Sequence, residues 1–271
     1  MRIFLLLLFS ALASAQTVRV MSFNVRYPNP ADGPDFWENR RDLLVDTVRK
    51  YAPDVMGTQE LFKIQGDYIV EKLPAYAWFG TSRRGNDQDE HMGVFYRKDR
   101  LELKEQGQFW LSETPDVPAS QSWNMSLPRM VTWGLFETKN GRQFYFLNTH
   151  FAHRREDEEA RLKAAGVIAS RIASLRKGVP IILTGDFNAP AGGAVYKAML
   201  DAGLVDTRVS GTGPDGTFHG FKGKPGIARI DWILTSPGWK PLRNETITDS
   251  RDGHFPSDHF PVVAEVEYPR R

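Results

Sequence analysis

The chain contains no cysteine among its 271 residues. Disulfides, thiolate metal sites and lipid attachment through a cysteine are therefore excluded as sources of stability or function. The sequence also lacks a Ser/Gly-rich linker, a low-complexity tract and an internal repeat. A chain of this length must then be stabilised by its hydrophobic core or by bound ions.

Long hydrophobic runs are missing after the first 15 residues. Residues 1–15 combine Arg2, an apolar stretch over residues 3–12 and a small-residue site ending at Ala15, which is the pattern of a cleavable signal peptide. The apolar stretch is too short to span a membrane, and no later one is longer. We expect a secreted or periplasmic protein that is cut after Ala15 and has no transmembrane anchor.

A strong excess of one charge sign is absent as well. The 35 Lys and Arg and 33 Asp and Glu residues give a formal net charge of +2, or +1 once Arg2 leaves with the signal peptide. Because positive and negative charges are nearly balanced, the chain has little long-range attraction to polyanions. It disfavours a dedicated nucleic-acid binder, while a local basic patch remains compatible with it.

Residues 16–271 alternate strand and helix signals and predict one mixed α/β domain. Asn140-Gly141 is a strong signal for a β-hairpin, which adds antiparallel pairing to the sheet. The longest stretch without a pattern covers residues 112–129, and loops of that length are commonly functional or disordered. Strands are predicted over residues 17–25, 54–60, 75–79, 92–96, 131–138, 143–149, 179–186, 229–234 and 260–266, and helices over residues 36–51, 61–73, 155–176 and 194–202.

The most informative stretch is the G-D-F-N segment at residues 185–188, at the end of an apolar strand. Asp186 and Asn188 are two positions apart, so their side chains emerge on the same face of an extended chain. A carboxylate that accepts protons or binds metal, next to an amide, suits holding a water beside a phosphate. A plain Asx-type turn explains the same two residues equally well.

Polar residues also end or interrupt most of the other predicted strands. Taken singly, Asn24 fits a turn, Glu60 fits a helix cap and His150 fits a structural histidine. Asp231, inside the apolar run RIDWIL, is harder to explain because a buried carboxylate needs a partner. Such residues at nearly every strand end indicate a shared site. The residues concerned are Asn24, Glu60, His150, Asp231, Asp258 and His259.

The ordered motifs FNVR, TQE, NTHF, GDFNA, RIDWIL and SDHFPV resemble those of the endonuclease/exonuclease/phosphatase superfamily, which includes deoxyribonuclease I. One branch of this superfamily consists of exported bacterial metal-dependent hydrolases. The chain is similar to that branch in the segments SFNVRYPNPADG, WENRRD, GQFWLSETPDVPAS, LPRMVTW and TFHGF. The resemblance covers essentially residues 16–271. It implies an α/β (α+β) four-layer sandwich of two mixed β-sheets, with helices on the outer faces and the active site at one end.

The resemblance also implies a metal site. Glu60 matches an acidic metal ligand, Asn24 beside it helps to hold the metal or the phosphate, and Asp258 matches a residue near the metal. Oxygen ligands without cysteine suit Mg²⁺ or Mn²⁺ better than zinc. Abasic-site endonucleases carry an acidic residue where this chain has Arg26, so a two-metal scheme is in question. Arg26 is instead either a phosphate contact or a solvated arginine.

The remaining motifs imply the catalytic residues. Asp186 matches the residue that orients or deprotonates the attacking water, and Asn188 matches the amide that contacts the phosphoryl oxygen. His150 matches a histidine that contacts the phosphate or protonates the leaving oxygen. His259 matches an acid/base histidine, and Asp231 its carboxylate partner, which would fix the tautomer of the imidazole. The chain has no G-x-S-x-G motif, so we expect direct in-line attack by water without a covalent intermediate.

The substrate stays open. We expect an exported metal-dependent phosphoesterase, acting on a phosphodiester in preference to a monoester, whose substrate is a small molecule, a lipid headgroup or a nucleic acid. No obligate protein partner is evident, and we expect a monomer. The alternatives are a secreted nuclease and a non-catalytic binding module that has kept the fold. Candidate substrate contacts near loop ends are Arg26, His91, Arg129, His153 and His219.

Overall fold

The computed structural model describes residues 16–208 and 211–269, so the expected signal peptide at residues 1–15 lies outside the described part. Of the helices described, none is both long and apolar enough to cross a membrane. The strands are β1 (Thr17–Asn24), β2 (Val55–Gln59), β3 (Tyr76–Phe79), β4 (Val94–Arg97), β5 (Leu101–Trp110), β6 (Met130–Thr138), β7 (Gln143–His150), β8 (Ile181–Asp186), β9 (Val205–Asp206), β10 (Gly211–Thr212), β11 (Asp231–Thr235), β12 (Lys240–Thr246) and β13 (Val262–Glu267). The helices are α1 (Trp37–Tyr51), α2 (Lys63–Lys72), α3 (Glu158–Ser174) and α4 (Ala194–Asp201), with short 3-10 helices at Pro30–Asp35 and Arg155–Asp157.

The strands form two mixed sheets. The first has seven strands in the order β10-β12-β13-β1-β2-β4-β3, and the second has six in the order β5-β6-β7-β8-β11-β9. In the first sheet, β1 is parallel to β2 and antiparallel to β13. In the second sheet, β7 is parallel to β8 and antiparallel to β6. The predicted mixture of parallel and antiparallel pairing is confirmed.

Three layers of hydrophobic core separate four layers of structure. Val20 and Phe146 belong to the cluster between the two sheets. On the other face of the first sheet, Met21 packs in a cluster with Leu44 of α1. Met199 of α4 lies in a third cluster, on the outer face of the second sheet. Because Val20 and Met21 are neighbours in one strand that point to opposite cores, both faces of this sheet are buried. The predicted four-layer sandwich is confirmed.

All nine predicted strands and all four predicted helices are present, with ends shifted by three residues or fewer. Four strands were not predicted, namely β5, β9, β10 and β12. Two of these are only two residues long, and β5 lies at the edge of its sheet with a bulge between Leu103 and Glu105. Edge strands carry charged residues on their open side, which hides the alternation of a buried strand.

Candidate active site

The second sheet places three polar side chains next to one another at one of its ends. His150 and Asp186 are paired on β7 and β8, and Asp231 on β11 is paired with Asp186 from the other side. Paired residues point to the same face of a sheet, so the backbone ladder alone brings these side chains together. The Nε2 atom of His150 lies 3.5 Å from Oδ2 of Asp186. We call these three residues the second-sheet row.

The first sheet contributes a group of three residues, Asn24, Glu60 and Asp258, which we call the first-sheet group. Asn24 ends β1, Glu60 directly follows β2, and Asp258 lies shortly before β13. The Asn24 Nδ2 atom donates to Glu60 Oε1 at 3.2 Å and, across the two sheets, to Asp186 Oδ2 at 3.0 Å. The first-sheet group and the second-sheet row are therefore in direct contact.

His259 lies between the two sets of residues. Its Nδ1 atom donates to Asp231 Oδ2 at 2.9 Å, and its Nε2 atom lies 3.7 Å from Asp186 Oδ2. Burial opposes protonation of His259, but the carboxylates of Asp231 and Asp186 outweigh it and raise the pKa of His259 well above its ordinary value. Burial and then the charge of Asp231 raise the pKa of Asp186 to about 7. Asp186 and His259 therefore hold an exchangeable proton near neutral pH.

His150 has the opposite electrostatic environment. Burial, followed by the positive charges of Arg129 and Arg83, lowers the pKa of His150 well below its ordinary value. The imidazole is therefore neutral at pH 7, and its buried Nδ1 atom has no hydrogen-bond partner among the described residues. Two histidines whose pKa values are moved in opposite directions within one site are typical of separate acid/base and contact roles.

The backbone at the site is strained at three positions. Arg26, Glu60 and Asn188 have φ angles of 52°, 57° and 47°, in the left-handed region that residues other than glycine rarely occupy. At Asn188 this geometry lets the backbone N–H donate to Asp186 Oδ1 at 2.9 Å. The Asx-type turn considered for the G-D-F-N segment is thus present, and it fixes the orientation of the Asp186 carboxylate.

Two sets of groups fit a cation. Glu60 and Asp258 offer partly shielded carboxylate oxygens, and burial together with the charge of Glu60 raises the pKa of Asp258. In the second set, ligand atoms of Asp186, Asp231 and His259 lie within 4.8 Å of one another. The hydrogen bond between His259 and Asp231 suits proton transfer better than metal binding. The Glu60 set, with oxygen donors only, fits a hard cation such as Mg²⁺.

Arg26 is half-buried beside the first-sheet group and is not a freely solvated arginine. Its guanidinium forms two hydrogen bonds to the Asp32 carboxylate, at 2.8 and 3.0 Å, and these are the leading cause that raises the pKa of Arg26. It also lies 3.7 Å from Glu60 Oε2 and 3.8 Å from Asp258 Oδ2. A positive charge held by a carboxylate partner thus stands next to Glu60 and Asp258.

A cavity of about 860 Å³ opens over these residues. Asn24 and Asp231 lie behind its wall, in hydrogen-bond contact with residues that line it. His91 and His219 do not line it, since His91 packs edge-on against Trp78 and His219 stacks on Phe260 with ring centroids 3.9 Å apart. The predicted site residues that line the cavity are Arg26, Glu60, Arg129, His150, His153, Asp186, Asn188, Asp258 and His259.

Sequence reasoning missed Arg40, a buried arginine beneath the first-sheet group. Its guanidinium donates to the carbonyl oxygens of Val25, Arg26 and Pro256 at 2.7 to 2.8 Å. Burial lowers the pKa of Arg40 to about 10. Arg40 therefore ties the turn after β1 to the segment before Asp258. The WENRRD segment contains it, but helical spacing gave no sign that this side chain points inward.

Sequence reasoning also missed a polar connection between the sheets. The Gln59 Nε2 atom donates to Asn148 Oδ1 at 2.7 Å, and Asn148 Nδ2 donates to the carbonyl of Thr58 at 2.7 Å. Gly57 makes this close approach possible, because a Cβ atom there would lie 2.2 Å from the Thr184 hydroxyl oxygen. The TQE and NTH motifs carried the signal, as polar residues inside otherwise buried strands.

A third missed feature is a buried ion-pair cluster in the cavity wall. Arg83 donates to Glu90 Oε2 at 2.7 Å and lies 3.0 Å from Asp89 Oδ1. Burial, followed by the negative charge of Glu60, raises the pKa of Glu90 to about 7. The RRGNDQDE segment that contains these residues looks like an ordinary charged loop, and nothing in its pattern predicts burial.

The chain belongs to the Endonuclease/Exonuclease/phosphatase family, whose sequence model matches residues 21–259. This match confirms the family resemblance. Members of this superfamily are phosphoester hydrolases, so the predicted hydrolase class is confirmed as well. A family protein of known structure from Bacteroides thetaiotaomicron is 35% identical with a TM-score of 0.89, over 94% of this chain and 99% of that one. The mannosyl-6-phosphatase of the same organism is 36% identical with a TM-score of 0.87, over 93% of this chain and all of that one.

A curated relative, nocturnin from Xenopus laevis, is 25% identical over 214 residues. The match covers 70% of this chain and 52% of nocturnin, so the chain spans about half the length of that relative. The catalytic domain of human nocturnin, in a structure with a bound sulfate anion, is 21% identical with a TM-score of 0.74. At that identity the likeness establishes a shared fold alone.

Proposed function

We propose that this protein is an exported, Mg²⁺- or Mn²⁺-dependent phosphoesterase that hydrolyses phosphodiester or phosphomonoester bonds by direct attack of water. The observation that carries the proposal is the position of His259, hydrogen-bonded to Asp231 on one side and 3.7 Å from Asp186 on the other. As part of the proposal, residues 1–15 direct export and residues 16–271 form one monomeric domain.

The chain's own residues account for the proton movements. Asp186, with its pKa raised to about 7, orients the attacking water and accepts its proton. His259 is the acid/base group on the leaving-oxygen side, and Asp231 holds its Nδ1–H tautomer. Neutral His150 and the Asn188 amide donate hydrogen bonds to the phosphoryl oxygens. General acid–base help of this kind contributes about a hundredfold to ten-thousandfold in rate.

The first-sheet group would hold the cation. Glu60 and Asp258 offer the carboxylate oxygens, and a bound cation supplies charge compensation on the phosphoryl oxygens. Asn24 donates to Glu60 and Asp186 in this structure, so it orients both carboxylates. The nearby guanidinium of Arg26 already offsets part of the negative charge, which supports a single cation.

The dimensions of the cavity favour a small-molecule phosphoester. About 860 Å³ is within the range of small-molecule sites, roughly 300–1,000 Å³. Tyr27, Phe62, Phe218 and Phe221 line it beside the polar groups and offer flat apolar surfaces to the rest of the substrate. The name of the mannosyl-6-phosphatase relative is consistent with a sugar phosphate. The chain keeps every acid, base and carboxylate residue of the set except the acidic one at the position of Arg26, which also argues against a non-catalytic binding module.

The test is hydrolysis of p-nitrophenyl phosphate and bis(p-nitrophenyl) phosphate with added Mg²⁺ or Mn²⁺, and again with EDTA. We expect turnover that EDTA abolishes and that His259→Ala lowers by at least about a hundredfold. A panel of plasmid DNA, RNA, sphingomyelin, glycerophosphodiesters and sugar phosphates then defines the natural class. Absence of metal-dependent turnover on the two chromogenic substrates and the whole panel would contradict the proposal.

A further inference from the structure

Arg129 is a buried cation in the cavity wall that forms no ion pair with any carboxylate of residues 16–208 and 211–269. Its residue surface is 3% exposed. In the described part of the chain, its side chain makes one hydrogen bond, from Nη2 to His153 Nδ1 at 3.1 Å, and its buried Nε and Nη1 atoms have no partner. Buried donors in folded proteins are nearly always paired, so these two require an explanation.

The neighbouring Arg83 also has a buried Nε atom without a partner among the described residues, but its charge is paired within the protein. Arg83 forms ion pairs with Asp89 at 3.0 Å and Glu90 at 2.7 Å, so its charge is balanced within the protein. Arg129 remains protonated, as arginine does in proteins, and a buried unpaired charge is costly. An anionic ligand in the cavity would supply the missing partner.

The position of Arg129 in the fold brings this charge to the reacting centre. It directly precedes β6, and the pairing of Val131 with Thr149 places it beside the end of β7, where His150 lies. The positive charge of Arg129 lowers the pKa of His150, and the negative charge of Asp186 favours the protonated form of Arg129. An anion bound at Arg129 would therefore lie next to the residues assigned to the phosphate and the attacking water.

The number of phosphoryl oxygens distinguishes the two ester classes. A diester has two non-bridging oxygens and one negative charge. A monoester has three and, with a second pKa of about 6, carries close to two charges at pH 7. If the cation, Asn188 and His150 contact two oxygens, a third remains only in a monoester. The guanidinium fork of arginine binds such an anionic oxygen strongly.

We propose that Arg129 is the receptor for the terminal phosphate oxygen and that it makes this protein selective for phosphomonoesters over phosphodiesters. The inference rests on the proposed function, because it assigns the substrate class of the same site. It replaces the preference for diesters that the sequence suggested.

The test compares two substrates with the same leaving group, p-nitrophenyl phosphate and bis(p-nitrophenyl) phosphate, at pH 7.5 with Mg²⁺. For the wild type we expect kcat/KM to be at least about tenfold higher on the monoester, because the diester lacks the oxygen that would form one charge-assisted hydrogen bond with Arg129. Arg129→Gln should lower the monoester value by about tenfold to a hundredfold and the diester value by less than about threefold. Arg129→Lys, which keeps the charge but loses the fork, should lie between them.

Arg161→Gln is the matched control. Arg161 is a buried arginine that donates to the carbonyls of Ala152 and Arg154 and does not line the cavity. Its loss should leave the ratio of monoester to diester kcat/KM unchanged within about twofold. If Arg129→Gln lowers both substrates equally, as a structural role would, the inference is wrong while the proposed function stands.

Calorimetric binding of inorganic phosphate separates the two proposals. We expect wild-type protein to bind inorganic phosphate and Arg129→Gln to bind it at least about tenfold more weakly. Such binding without hydrolysis of either ester would support the receptor and contradict the enzyme. Hydrolysis of the monoester without any effect of Arg129→Gln or Arg129→Lys on binding or selectivity would overturn the receptor alone.

Discussion

The two sheet ends that meet at the site are held in place by different means. In the second sheet, His150, Asp186 and Asp231 are neighbours because their strands pair in that register. In the first sheet, the backbone of Glu60 itself has a left-handed φ angle. Arg40 holds the backbone after β1 by donating to the carbonyl oxygen of Val25. Backbone pairing therefore brings the second-sheet row together, whereas Glu60 and the turn after β1 in the first sheet rely on a left-handed backbone and on the buried side chain of Arg40.

This difference matches the two tasks assigned to the site. Proton transfer requires fixed distances, which a backbone ladder provides. A cation site tolerates more adjustment, because carboxylates rotate and retained waters complete the coordination of Mg²⁺. Changes in the second-sheet row should therefore lower turnover sharply, whereas changes in the first-sheet group should mainly weaken metal binding.

The largest effect is expected for the residues that move the proton. Asp186→Asn and His259→Ala should each lower turnover by at least about a hundredfold without unfolding the protein, because each removes an acid/base group. Initial rates and circular dichroism measure the two quantities. His254→Ala is the control, since His254 is exposed and pairs with Asp35 away from the cavity lining. Near-wild-type rates for either variant would refute the assignment.

A smaller effect, of a different kind, is expected in the first-sheet group. Glu60→Gln should weaken Mn²⁺ binding by about tenfold to a hundredfold, because it removes a charged ligand. Turnover at saturating Mn²⁺ should fall much less. Calorimetric titration with Mn²⁺ gives the affinity directly, and Glu38→Gln on the exposed side of α1 is the control. Unchanged Mn²⁺ affinity would show that Glu60 is not a ligand of the metal.

The contact between the two sheets can be tested at Gly57. An added Cβ would lie 2.2 Å from the Thr184 hydroxyl oxygen and 2.5 Å from Asn148 Oδ1, so the sheets would have to separate. We expect Gly57→Ala to lower the free energy of unfolding by about 1–3 kcal/mol. Gly166→Ala in α3 is the opposite case, because its Cβ would meet no atom within 4 Å. It should raise stability by about 0.5–1 kcal/mol in chemical denaturation. Equal effects of the two substitutions would contradict this packing.

The last effect appears only at mildly acidic pH and concerns His219, which supports the segment before β13. Burial lowers the pKa of His219 to about 4 in the folded protein, against about 6.5 when unfolded. Its contribution to stability is therefore complete above pH 6.5 and is lost as the pH falls toward 4, because the unfolded chain binds the proton better. Between pH 7 and 5 the wild type should lose about 2 kcal/mol more than His219→Phe. Parallel urea-unfolding curves at both pH values would show that His219 is not the cause.

The sequence predicts the residues of the second-sheet row better than it predicts the buried contacts that hold the site in place. Polar residues at strand ends are visible because they interrupt apolar runs, and Asp186, Asp231 and His259 were found in this way. The four-layer fold required the family resemblance, because both faces of the sheets are buried and periodicity alone cannot assign the layers.

Other parts of the site could not be predicted because they depend on contacts between distant residues. Arg40 and Pro256, which are 216 residues apart, meet only once the first sheet has formed. Arg83 and Glu90 lie in a charged segment whose burial follows from the packing of the loops around it. His91 and His219 were candidate substrate contacts, but aromatic packing beneath the cavity wall takes up their rings.

The most direct test of the central claim is a metal titration of activity. Protein treated with EDTA and dialysed should hydrolyse p-nitrophenyl phosphate at a rate close to zero, and Mg²⁺ or Mn²⁺ should restore the rate to a plateau. Glu60→Gln should reach its plateau at a higher metal concentration, and His259→Ala should stay flat at every concentration. A metal-free protein that retains the full rate would contradict the account, and so would a wild type that remains inactive at saturating metal on this ester, its diester and the whole substrate panel.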